Sequence, residues 1–303
     1  MRPILPPPLG RGDRVAVVAP GGPVRRADLE SGIGWLLRQG YEVVRGRHLL
    51  RRRAYLAGGD DERAADLNQA LADPGVRAIW FARGGYGSHR MVAQVDFEPL
   101  RKHPKTLIGY SDVTVLQAAA WGMAGLGSLY GPLVSELGDP LAYDAGALLR
   151  ALSGARLRFD LPRRSILRPG VGEGPIIGGC LSILVGLLGT PFDLETSGAI
   201  LFWEEVNEEP YRIDRMLAQL RLAGRLEGLR GMVVGRLIGC EARRRENHLS
   251  LADILDGHLK GTDYPVVRDF PVGHMRRKAT LPLGRAARLD TGARRLTIGG
   301  TKP

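Results

Sequence analysis

The chain has 303 residues, 44% of them hydrophobic, a formal net charge of +11 and only two cysteines. That length suits two domains with sizeable cores, no run of about 18 apolar residues offers a membrane span, and Cys180 and Cys240 lack the number and spacing of a disulfide framework or metal site. The positive charge would attract anions, but its arginines fall in short scattered groups such as 51–53 and 243–245 without interleaved aromatics, so specific nucleic-acid binding is not expected.

In chain order, the start MRPILPPPLGRGDR has no apolar signal-peptide core, which predicts a cytoplasmic protein. RVAVVAP (14–20) reads as a buried strand, LESGIGWLLRQG (29–40) as a helix ending at Gly40, and YEVVRG (41–46) as the next strand. DDERAADLNQALADP (60–74) opens on Asp caps, repeats apolar residues at Ala64, Leu67 and Leu71, and stops at Pro74, which predicts a second helix. VRAIWFARGGYG (76–87) is a strand that runs into glycines, and TLIGYS (106–111) is another. The alternation predicts an α/β fold: a Rossmann-like or flavodoxin-like N-terminal domain over residues 1–155.

A Pro-, Gly- and Arg-rich stretch predicts a linker over 156–169, followed by a smaller, strand-rich α/β C-terminal domain over 170–303. Within it, AILFWEEV (199–206) and GMVVGRLIG (231–239) read as strands. YRIDRMLAQLRLAG (211–224) reads as an amphipathic helix with Ile213, Met216, Leu217 and Leu220 on one face. Short strands in ATLPLG, AARLDTG and RRLTIGG close the chain. Two domains invite a site between them.

Ser111 stands where a strand breaks into helical spacing. A serine there either caps the helix or is a nucleophile raised on a sharp turn, with the next backbone N–H free to hold an oxyanion. GYSDV lacks the fifth-position glycine of the G-x-S-x-G pattern. A nucleophilic serine needs a base and an acid to orient that base. Of six histidines, His48 and His103 sit among charged residues, His248 and His258 lie in or beside a polar helix, and His89 follows the glycine loop. His274 follows a strand-like segment at a glycine, where a side chain can project into a cleft. Glu204 and Glu205 end an apolar strand, whose alternation sends one inward and one outward; a buried carboxylate there would demand a partner such as a histidine. The same pair could serve a twin-carboxylate glycosidase, but no second acid stands in a comparable setting. The loop ARGGYG (82–87) can bring backbone N–H groups to an anion or a substrate, yet it lacks the G-x-G-x-x-G and P-loop patterns of nucleotide sites. No metal spacing such as H-E-x-x-H occurs, so neither a metal nor another cofactor is expected.

Four segments in one order resemble the LD-carboxypeptidase family of serine peptidases, which includes peptidases giving self-immunity to microcin C. They are YLAGGDDERAADLNQALADPGVRAIWFARGGYG, IGYSDVT, FWEEVNEEPYRIDRMLAQL and FPVGHMRRKATLPLG, and the likeness runs nearly the whole length. The resemblance implies Ser111 as nucleophile, His274 as base and Glu204 as orienting acid, with oxyanion donors in the N–H groups of Asp112 and Gly85. Arg83, Gly84 and Tyr86 would then contact substrate. It further implies a carboxypeptidase acting on murein tetrapeptide, with no cofactor and a homodimeric assembly; a microcin-immunity-like enzyme cleaving a nucleotide analogue and a non-catalytic binding module are the alternatives. Tyr130-Gly131-Pro132 and Cys180 depart from the family's usual His-Gly-Pro and Asn. Both departures are expected to bear on cleft shape or substrate choice.

Overall fold

The computed structural model describes residues 3–241 and 249–299. The strands are β1 (Arg14–Val18), β2 (Glu42–Arg45), β3 (Val76–Phe81), β4 (Thr106–Gly109), β5 (Ser128–Tyr130), β6 (Leu157–Asp160), β7 (Ile166–Arg168), β8 (Val171–Cys180), β9 (Ile200–Val206), β10 (Gly231–Ile238), β11 (Val266–Val267), β12 (Leu281–Leu283), β13 (Ala286–Asp290) and β14 (Arg295–Ile298). They form two sheets, ordered β12-β5-β4-β3-β1-β2 and β6-β14-β13-β8-β9-β10-β11-β7.

From β2 to β5 the first sheet is parallel, in the order 2-1-3-4-5. That is the flavodoxin-like winding, in which the crevice opens where the order reverses, between β1 and β3. In the second sheet β8 to β11 run parallel, and antiparallel strands flank them on both sides.

Period-two burial on β1 explains how the layers hold together. Val15 and Val17 pack with Ile33 and Leu36 on one face, while Ala16 and Val18 join Leu67 and Leu71 on the other. The second cluster continues into Ile200, Phe202 and Leu217 of the other half, so apolar packing is continuous across the two sheets. Among the described residues no helix is long and apolar enough to cross a membrane.

Several expectations are corrected. The first helix spans Arg26–Gln39 and starts before residue 29; its N-cap, Arg25, makes no side-chain cap, so no cap residue marks the start. The second helix, Asp60–Ala72, begins after Gly59, and its acids lie inside the first turn, where they favour the positive helix end. The stretch 156–169 carries β6 and β7, the two edge strands of the second sheet. ATLPLG supplies β12, which leaves the C-terminal half and pairs antiparallel with β5 of the first sheet.

Candidate active site

Three chain ends of the first sheet converge on one crevice: the turn after β1, the loop after β3, and the turn after β4 that carries Ser111. Gly22 N donates to the Gly84 carbonyl at 2.8 Å, joining the first two. Arg63, 2% exposed on the helix Asp60–Ala72, holds both from beneath by donating to the carbonyls of Pro20 and Gly87. Asp112, 1% exposed, accepts from Gly87 N at 3.2 Å and from Ser88 N and Oγ at 3.0 and 2.7 Å, tying the glycine loop to the Ser111 turn.

Ser111 has φ +68, a conformation that costs a residue with a Cβ and persists only where its surroundings impose it. It does not cap a helix: Tyr110 is the N-cap and no side-chain cap bond forms there. Instead Ser111 Oγ lies 3.0 Å from His274 Nε2. His274 Nδ1 lies 2.9 Å from Glu204 Oε2, which also accepts from His274 N at 3.3 Å. With Nδ1–H directed at the carboxylate, Nε2 is left as the acceptor for the serine hydroxyl.

Each partner reaches this line from a different element. Glu204 stands in the buried run of β9 and is fully buried. His274 sits on the loop before β12, directly after Gly273, which has φ +117 and lies so close that a Cβ there would come within 2.5 Å of Glu204 Oε2. Tyr110 packs its ring edge-on to the imidazole, with centroids 4.9 Å apart. The Tyr110 hydroxyl donates to Glu136 Oε1 at 2.8 Å, and buried Lys278 donates to the same oxygen at 2.6 Å. Burial and the nearby Glu136 push the Tyr110 phenol well above its usual range, so it remains a donor.

One member of the pair was expected to face outward, yet Glu205 is also buried, at 2% exposure. It points to the other face of β9, where Ser182 N donates at 2.6 Å and Val206 N at 2.9 Å; burial raises its pKa above the ordinary carboxylate range. The face that strand alternation makes outward is here covered by the helix Leu181–Gly186. The other described histidines are engaged elsewhere or exposed: His48 with Asp66, His258 with Asp214, His89 half-buried against Gly186, His103 exposed. His248 lies outside the described residues.

Tyr130 and Cys180, expected to shape the cleft, are 1% and 4% exposed and lie behind the site. Sequence reasoning missed Tyr110, Glu136 and Lys278 as neighbours of the site, because their roles come from strand pairing and loop approach and leave no local pattern.

Gly84 is buried against the serine: a Cβ there would stand 3.0 Å from Ser111 Cβ and 3.1 Å from Oγ. Gly85, at φ +103, Arg83 and Tyr86 are exposed at the rim. Gly84→Ala is therefore expected to fold and to displace the serine by a few tenths of an ångström, lowering kcat about tenfold; unchanged kcat would show that the loop gives way instead. On the other side of His274 an open cleft of about 520 Å³ is lined by Arg25, Asp28, Tyr110, Asp139 and Arg276. Its charges are of both signs, paired as Arg25 with Asp28 and Arg276 with Asp139. Among the described residues no cluster of His, Cys, Asp and Glu could hold a metal ion.

Comparison with known proteins matches residues 15–131 to the LD-carboxypeptidase N-terminal domain and residues 173–289 to the LD-carboxypeptidase C-terminal domain. The probable murein peptide carboxypeptidase of Bacillus subtilis is 37% identical over 298 residues, covering 97% of this chain and 93% of that protein. The crystal structure of the muramoyltetrapeptide carboxypeptidase from Oxalobacter formigenes superposes with a TM-score of 0.85 at 31% identity, over 96% of this chain and 100% of that one. The microcin immunity protein MccF, solved with glutamyl sulfamoyl guanosine, gives a TM-score of 0.88 at 25% identity over 99% of both chains.

Proposed function

The chain belongs to the LD-carboxypeptidase family of peptidases, and from that premise we propose that it is a serine carboxypeptidase removing the terminal D-alanine of a murein tetrapeptide. The bond cut joins the L-centre of the diamino acid to that alanine. The observation that carries this reading is the unbroken line of hydrogen bonds from Ser111 through His274 to Glu204, at 3.0 and 2.9 Å.

In the proposed reaction His274 Nε2 accepts the proton of Ser111 Oγ as the oxygen attacks the amide carbonyl. Glu204 keeps Nδ1 protonated and stabilises the imidazolium that forms. The N–H groups of Asp112 and Gly85 hold the developing oxyanion; Asp112 lies in the first turn of the helical segment that begins at the serine, where N–H groups have no intrahelical acceptor. The imidazolium then returns its proton to the leaving amine of D-alanine, and water hydrolyses the acyl-enzyme to the tripeptide acid. Gly84 packs against the nucleophile, while Arg83 and Tyr86 face the substrate from the rim. A cleft with paired charges of both signs suits a peptide bearing free carboxylates and an ammonium group. Murein recycling fits a cytoplasmic enzyme, proposed here as a homodimer.

A second reading is hydrolysis of a peptidyl or aminoacyl nucleotide analogue, which calls for an exposed ring on which a base can stack. Trp80 and Trp203 are fully buried and offer none. Tyr55 and Tyr86, both exposed and 5.9 Å apart between centroids, are the observation in its favour.

Mass spectrometry of murein tetrapeptide incubated with the protein tests the first reading. Loss of one alanine is expected. An intact tetrapeptide, with cleavage of an aminoacyl sulfamoyl nucleoside in the parallel tube, would give the second reading the place of the first.

A further inference from the structure

We propose that Tyr130 is a positioning residue for the hydrolytic reaction, setting Glu204 and the backbone of Ser111 against each other through a single hydroxyl. The inference rests on the serine-peptidase reading above. Ser111 N donates to Tyr130 Oη at 3.3 Å, and Tyr130 Oη donates to Glu204 Oε1 at 2.7 Å. Glu204 Oε2 is occupied by His274, so this hydroxyl serves the carboxylate's other oxygen. One oxygen atom thus joins the strained turn of the first sheet to the acid of the second.

The ring that carries this oxygen has little freedom. Tyr130 ends β5, 1% exposed, and pairs in register with Leu281 of β12. Its ring packs edge-on against Phe202 at 5.2 Å and Tyr110 at 6.0 Å. Burial, with the Glu204 carboxylate adding to it, pushes the phenol well above its usual range, so the hydroxyl stays protonated and can donate. Being buried behind the site, it touches no substrate and acts only through Glu204 and Ser111.

Tyr130→Phe removes the oxygen and keeps the ring and its packing. Loss of a hydrogen bond to a buried charge corresponds to roughly a 10- to 100-fold fall in kcat, with KM within about threefold because no substrate contact is lost. Fluorophosphonate labelling of Ser111, which needs no murein substrate, should slow with kcat. In a Glu204→Gln background the same change should have less than about threefold effect, since the charge it serves is gone.

Wild-type kcat and labelling rate in Tyr130→Phe, whatever its melting temperature, would overturn the proposal. So would full additivity with Glu204→Gln. A wild-type protein that neither labels nor hydrolyses would instead overturn the underlying serine-peptidase reading, and this inference with it.

Discussion

Ser111→Ala is expected to lower kcat by about six orders of magnitude, the typical cost of losing a triad nucleophile, while leaving the melting temperature nearly unchanged. The stability half of this result follows from the local geometry. Alanine carries the same Cβ into the same φ of +68, so the backbone cost is the same before and after the exchange. No cap is lost, because Ser111 Oγ faces His274 and caps nothing. A helix-capping serine would behave in the opposite way, losing about 1 kcal/mol of stability and little activity. Thermal unfolding of both proteins beside steady-state turnover separates the two roles. Fluorophosphonate labelling that survives in Ser111→Ala would place the nucleophile elsewhere.

Glu204→Gln is expected to cost about ten-thousand-fold in kcat, less than the serine, since it leaves nucleophile and base present but wrongly disposed. The glutamate receives His274 Nδ1 and His274 N on one oxygen and Tyr130 on the other. An amide can offer only one acceptor. If its oxygen faces His274, its NH2 meets a tyrosine hydroxyl that has lost its acceptor; if its NH2 faces His274, the imidazole is pushed into the wrong tautomer. The neighbour supplies the control. Glu205 accepts from the backbone N–H groups of Ser182 and Val206 on the opposite face of β9, so Glu205→Gln should change kcat far less. Single-turnover rates of the two variants decide the matter: equal losses would mean that Glu204 is one buried acid among two rather than the partner of His274.

Local pattern carried a reader a long way along this chain. The strands before the glycine loop and before Ser111, and the helix bearing Ile213, Met216, Leu217 and Leu220, stand as their periodicity requires. Of the two carboxylates buried near the end of β9, Glu204 has a histidine partner and Glu205 has backbone N–H groups instead. What stayed hidden depends on contacts between residues distant in sequence. β6 and β7 read as a linker because arginines and prolines surround them, and a sheet edge tolerates such residues. β12 is three residues long, and no periodicity could say that it would cross to the first sheet. Tyr130 was expected to bear on cleft shape or substrate choice because it departs from the family's usual His-Gly-Pro; strand pairing instead holds it inward, onto Glu204. Glu205 misled because alternation tells which residues share a face, not whether the far face meets solvent or a helix.

The return of β12 to the first sheet bears on the birth of the protein at the ribosome. β5 gains its second neighbour only when residues 281–283 have emerged, so through most of synthesis the growing chain exposes an open strand edge, the feature on which nascent proteins aggregate and chaperones act. His274 lies on the loop that leads into that same strand. The strand that completes the sheet thus follows, within a few residues, the imidazole that lies against Ser111, and a chain synthesised only as far as residue 273 has the serine without that neighbour.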